Sequence, residues 1–137
     1  MKNAKIIREE ILKEGKLTLE LKKKYFPGDD FKKIRDQLEE LGLDRHMILV
    51  LDSVEIALVT PLGIIMQIRP KDHDQLGLWG GVLLDGETPE DGAVRELYEE
   101  TGIQISKEQL EFVEVNEHFH EYASGDKGIF TSHRYIV

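Results

Sequence analysis

A chain of 137 residues, 40% hydrophobic and 33% charged, is long enough to bury one core and too apolar for a disordered segment. It has no cysteine, which excludes disulfides and thiolate metal sites and fits a reducing, cytoplasmic location. The net charge of −9 is uneven: residues 1–45 carry 12 basic against 10 acidic side chains, and residues 46–137 carry 6 against 17. So acidic a second part disfavours nucleic acid as a partner and suits a hard divalent cation. The first ten residues hold no apolar leader, and the longest aliphatic run, Met47 to Leu51, is too short to span a membrane.

Residues 1–45 read as a helical segment. Ile6, Ile7, Ile11 and Leu12 recur at helical spacing up to Gly15. Leu19, Leu21 and Phe26 suggest a second short helix, broken by Pro27-Gly28. Asp29 or Asp30 can cap a third, with Phe31, Ile34, Leu38 and Leu41 as its apolar stripe and Gly42 as its stop. Residues 46–137 read as a second domain. Met47 to Leu51 and Val54 to Val59 have strand composition, Pro61-Leu62-Gly63 a turn, and Ile64 to Ile68 a returning strand. Arg69 to Gly77 reads as a loop. Gln109 to Tyr122 and Ile129 to Val137 read as two further strands. The order predicts an α+β or α/β fold with a mixed sheet and a packed helix.

That helix is well marked. Thr88 is a natural N-cap, Pro89 fits the first helical position, Glu90 and Asp91 favour the positive helix start, and Gly102 fits the C-terminal left-handed position. The helix is therefore predicted over Pro89 to Thr101. Ala93, Val94, Leu97 and Thr101 share an inward face. Glu96, Glu99 and Glu100 share another, at i, i+3 and i+4, where like charges repel. Solvent, Arg95 or a bound cation can offset that repulsion, and Mg²⁺ suits carboxylate oxygens.

Gly81, Glu87, Arg95, Glu96, Leu97, Glu99, Glu100, Gly102 and Ile103 reproduce, position by position, the signature of the Nudix (MutT-type) hydrolases. A chance match has odds on the order of 10⁻⁸ with average residue usage. The resemblance covers 23 residues closely, and residues 46–137 through the wider strand pattern. It implies a Nudix-type mixed sheet sandwiched by helices, carrying an extra N-terminal helical segment. It also implies divalent-metal-dependent hydrolysis of a pyrophosphate linkage in a nucleoside diphosphate joined to another moiety, with Mg²⁺, or alternatively Mn²⁺, as cofactor. Glu96, Glu99 and Glu100, with the carbonyl of Gly80, would hold the metal. Glu99, Glu100 and Arg95 make up the catalytic set: one of the two glutamates as base, Arg95 orienting the carboxylates. Glu87 would support the loop, Gly81, Gly86 and Gly102 would permit tight backbone turns, and Leu97 and Ile103 would be core.

The sequence departs from the family at Gly92, Leu84 and Trp79, which stand where a small helix former, an acidic residue and a proline are usual. Only 34 residues follow Ile103, so the domain reads as shortened at its C-terminus, with an exposed sheet edge compatible with a homodimer. That shortening and the three leading helices motivate the alternative of a non-hydrolytic Nudix-like nucleotide sensor acting through residues 1–45. Arg69 and Lys71 are candidate phosphate contacts. His118 and His120 share a strand face as candidate substrate or metal contacts, with His133 a further metal candidate, and Trp79, Phe119 and Tyr122 are candidate base-stacking residues.

Overall fold

A computed structural model describes residues 3–70 and 74–137. Three helices come first: α1 (Ala4–Glu14), α2 (Leu19–Tyr25) and α3 (Phe31–Glu40). Their ends follow the expected chemistry. Gly15 turns left-handed (φ 69°) and donates its N–H to Ile11 and Leu12. Thr18 accepts from the Leu21 amide, and Asp30 rather than Asp29 accepts from the Lys33 amide at 2.8 Å. Of the expected stripe on α1, only Ile7 and Ile11 are buried, while Ile6 and Leu12 stay about half exposed. Neighbours in sequence lie on different sides of a helix, so two adjacent pairs cannot all face one wall.

The contacts divide the chain into two units. The first joins the helical segment, up to Leu51, with Phe119–Ile129. Ile11, Leu17, Phe26, Ile34, Leu38 and Leu49 are its most buried apolar residues. Leu17 pairs with Leu49 as a parallel bridge, taking the Val50 amide and donating to Ile48, each at 2.9 Å. Arg35, 6% exposed, donates to the carbonyls of Arg45 and Met47, and its Nε lies 3.2 Å from Asp126. Burial alone would raise the Asp126 carboxyl. His46, Arg35 and Ser124 together outweigh burial and hold it below the usual carboxylate range.

The second unit comprises Asp52–His118 and Phe130–Val137. Its elements belong to β1 (Leu49–Thr60), β2 (Gly63–Ile65), β3 (Gln67–Arg69), β4 (Gln75–Gly77), β5 (Trp79–Val82), α4 (Pro89–Thr101), a 3₁₀ turn at Lys107–Gln109, β6 (Glu111–Glu121) and β7 (Lys127–Ile136). The sheet order is β2-β1-β7-β6, with β5 also paired to β1, and β3 and β4 form a separate hairpin. β1 is antiparallel to β2 and β5. Val137 donates to Ala57 and accepts from Val59, the ladder of a parallel pair. The sheet is thus mixed, with α4 packed against it, as the α+β reading expects.

Local differences from the sequence reading have local causes. The two expected strands around Asp52 and Ser53 are one strand, because the buried Ser53 hydroxyl is satisfied by Ser132 at 2.7 Å. The expected return strand is split at Met66 into β2 and β3. Part of the expected loop pairs as β4, Ile68 opposite Leu76. Val54, Ile56, Ala93 and Tyr135 form a buried cluster on which Trp79, Leu83, Leu110 and Val137 pack. This cluster fixes α4 against the sheet.

Candidate active site

The helix α4 spans the residues its signals predict. The Thr88 hydroxyl accepts from the Asp91 amide at 3.2 Å, Pro89 opens the helix, and Gly102 closes it at φ 76° with its N–H on the Tyr98 carbonyl. Ala93 and Leu97 are fully buried. Val94 and Thr101, expected on the same face, are half-buried. Ile103, expected in the core, is 40% exposed, because the chain leaves the helix axis at Gly102.

With the inward face pinned, Arg95 and the glutamates are presented together. Arg95 grips Glu87 with Nε at 2.8 Å and Nη2 at 2.9 Å, a two-pronged contact. Its Nη1 reaches Glu96 at 2.9 Å and Glu99 at 3.1 Å, and Nη2 also meets the Val82 carbonyl at 3.3 Å. Glu87 accepts the Leu84 amide as well, at 3.0 Å, so one carboxylate closes the loop before the helix and braces Arg95. Arg95 and the Leu84 amide hold the Glu87 carboxyl below the usual carboxylate range, against the pull of burial. The Arg95 guanidinium is held still more firmly protonated, chiefly by Glu87.

Glu96 is different. Burial pushes its carboxyl up, Glu100 and Glu99 push the same way, and Arg95 only partly compensates. A carboxylate in that position is short of positive charge. Gly81 lies directly over it: a Cβ on Gly81 would sit 2.6 Å from Glu96 Oε1. The expected need for a tight turn is therefore met only at Gly86 (φ 81°) and Gly102, whereas Gly81 is small because the Glu96 carboxylate occupies the space. Gly80 donates its N–H to Glu100 at 2.7 Å, which brings its backbone to the third carboxylate, and a Cβ there would overlap the Val54 carbonyl. Gly92 packs against Leu83 and Glu87 without room for a methyl group, which accounts for its place inside a helix.

Three carboxylates on one helix face, one of them charge-starved under a glycine roof, fit a hard divalent cation such as Mg²⁺ or Mn²⁺. Among the described residues no three acidic or histidine side chains yet converge on one point. Arg95 holds Glu96 and Glu99, and the Gly80 amide holds Glu100. Glu99 is 55% exposed, so gathering the set would take only side-chain motion away from Arg95.

The other candidates are spread more widely. Arg69 donates to the Leu78 carbonyl at 3.1 Å and lies over Gly77, which has no side chain to obstruct it. Lys71 lies outside the described residues. Trp79 packs on the core cluster and donates its ring N–H to the Ile65 carbonyl at 2.9 Å. Phe119 is exposed, His120 meets the edge of Tyr122, and His133 Nε2 is 3.7 Å from Asp52. His118 stacks on Phe130 at 5.6 Å. It also belongs to a polar network that sequence reading missed: Glu55, Arg134 and Glu114, joined across β1, β7 and β6. The alternation of acids and histidines in β6 was visible, but its partners depend on strand register.

The NUDIX domain family matches residues 53–137. A "MutT-like protein" of Streptomyces ambofaciens is 43% identical over 68 residues, which is 48% of this chain and 44% of that protein. The chain thus spans less than half the length of this curated relative. The crystal structure of a MutT/nudix family protein from Enterococcus faecalis superposes with a TM-score of 0.51 at 21% identity, over 86% of this chain and 48% of that one. That likeness is one of fold. The solution structure of the E. coli ORF135 protein is 28% identical, with a TM-score of 0.45, over 64% of this chain and 60% of that one.

Proposed function

The chain belongs to the Nudix family, and from that premise we propose that it is a divalent-metal-dependent pyrophosphohydrolase acting on a nucleoside diphosphate linked to another moiety. The observation that carries the reading is the Arg95-centred carboxylate set beneath Gly81. In this reading Glu96, Glu99 and Glu100, with the Gly80 carbonyl, hold the cation, in a cytoplasmic protein whose residues 1–45 are an appended helical segment to a domain at 46–137. When bound, Mg²⁺ neutralises charge developing on the diphosphate and lowers the pKa of a coordinated water.

The chain's own residues do the rest. Arg95 orients Glu96 and Glu99 before the cation arrives, which lowers the cost of arranging them. Glu87 acts on substrate only through Arg95 and the Leu84 loop, as a positioning residue. Glu99 or Glu100, the two exposed members of the set, accepts the proton of the attacking water. Most of the acceleration comes from positioning and electrostatics, as is general for phosphoryl transfer.

The test is phosphate-coupled turnover across a panel of nucleoside-diphosphate derivatives, with Mg²⁺ and again with EDTA. Metal-dependent cleavage of at least one member supports the reading. Tight nucleotide binding with no cleavage would replace it with the sensor alternative.

A further inference from the structure

On the sheet face away from α4, a second set of side chains stands one strand from Gly80, whose backbone meets Glu100. Val54 and Ile56 pack with Ala93 on the α4 side, so strand alternation puts Glu55 on the other face. Arg134, next to the core residue Tyr135, faces the same way and donates Nε to Glu55 Oε2 at 3.2 Å. Its Nη1 donates to Glu114 Oε1 at 2.8 Å. Two carboxylates bracket one guanidinium, so the group carries net negative charge and repels phosphate. The His118 ring lies nearly parallel to Phe130, 20° between planes, with Nε2 4.0 Å from Glu55 Oε1. Its Nδ1 is buried and has no hydrogen-bond partner among the described residues. The register ties this set to the reaction site: Glu55 is the cross-strand partner of Gly80, whose N–H meets Glu100.

We propose that Glu55, steadied by Arg134, is a specificity-determining residue that accepts a hydrogen bond from an exocyclic amino group of the substrate's nucleobase. The warrant is juxtaposition: a braced carboxylate acceptor and a flat ring, one strand from the residue that anchors Glu100. A carboxylate rewards an amino group and opposes a carbonyl oxygen, so cytosine is favoured over uracil and adenine over hypoxanthine. The inference rests on the pyrophosphohydrolase reading for where the phosphates lie.

The experiment uses the full chain as wild type, Glu55→Gln and Glu114→Gln. It compares kcat/KM for CTP against UTP and ATP against ITP, each pair exchanging an amino for a keto group and the adjacent ring nitrogen from acceptor to N–H, and metal-free calorimetric binding of CMP against UMP. In the better-used pair, wild type should favour the amino member at least about tenfold, the scale of one charge-assisted hydrogen bond. Glu55→Gln should erase that preference through KM with kcat little changed. Glu114→Gln, which loosens Arg134 from its other side, should keep it. A wild-type ratio near one, or a ratio that survives Glu55→Gln, overturns the proposal. So does a loss of preference in Glu114→Gln equal to that in Glu55→Gln, which marks a purely structural network. Preference for CMP that Glu55→Gln abolishes, without any hydrolysis, upholds this proposal and overturns the hydrolytic reading. Neither binding nor cleavage overturns both. Should Glu55→Gln fail to fold, the wild-type CTP/UTP and CMP/UMP ratios decide alone.

Discussion

Replacing Arg95 by alanine removes five hydrogen bonds at once, to Glu87 (two), Glu96, Glu99 and the Val82 carbonyl. What remains matters more than what is lost. Glu87 and Glu96 keep side chains only 12% and 14% exposed, with no cation between them. Breaking a fully buried ion pair by deleting one partner costs about 3–5 kcal/mol. Arg95 is itself 23% exposed, so water reaches part of the gap and the lower end applies, about 3 kcal/mol. That is a drop in Tm of roughly 10 °C for a domain this size. Trp79, the only tryptophan, lies in β5 beside the site, so its fluorescence in urea reports this unit. The pH dependence gives an independent check. Glu87 has a depressed folded pKa, so its contribution is fully present above its unfolded value near 4.5 and is lost as pH falls through the folded value. The alanine variant should lack that acid-side loss, and its deficit against wild type should narrow below pH ~4.5. Arg95→Lys, a point charge without the fork, should recover only part of the stability. A deficit below about 1 kcal/mol, constant with pH, would refute the view that Arg95 organises the carboxylates.

Gly81→Ala puts a methyl group 2.6 Å from Glu96 Oε1, so Mn²⁺ affinity followed by electron paramagnetic resonance should fall at least about tenfold, with little change in urea midpoint. Unchanged affinity would mean that Glu96 is not a ligand. Gly102→Ala meets no neighbour but forces a left-handed residue at φ 76°, so it should cost about 1 kcal/mol in urea unfolding and leave metal affinity intact. The Tyr135 hydroxyl is buried and donates to Glu90 at 2.9 Å, which pushes its pKa up to about 12. Ultraviolet titration should therefore show one of the four tyrosines ionising last, and Tyr135→Phe should remove that late step.

The sequence was most legible where function depends on local spacing. α4 begins at Pro89 and ends at Thr101 as its caps require, and Arg95 meets Glu96 and Glu99 because helical geometry brings i+1 and i+4 within reach. The Glu87–Arg95 contact crosses a turn, and the family resemblance implied only that Glu87 supports the loop. Long-range pairing was not legible. No pattern in residues 111–121 tells that Glu114 meets Arg134 or that His118 lies over Phe130. Those contacts depend on register, which the whole sheet sets. The role of Gly81 differs from the turn its motif implies for the same reason: its constraint is the Glu96 carboxylate, fifteen positions on, and not its own φ.

The most direct test of the central claim is Mg²⁺-dependent turnover of the nucleotide panel by wild type and Glu99→Gln side by side, with both shown to be folded by Trp79 fluorescence. The carboxylate account predicts cleavage by wild type that EDTA stops, and a fall in kcat of at least about a hundredfold in the variant, the scale of a lost general base. Equal turnover by the two proteins would contradict it, and so would wild-type cleavage that persists in EDTA.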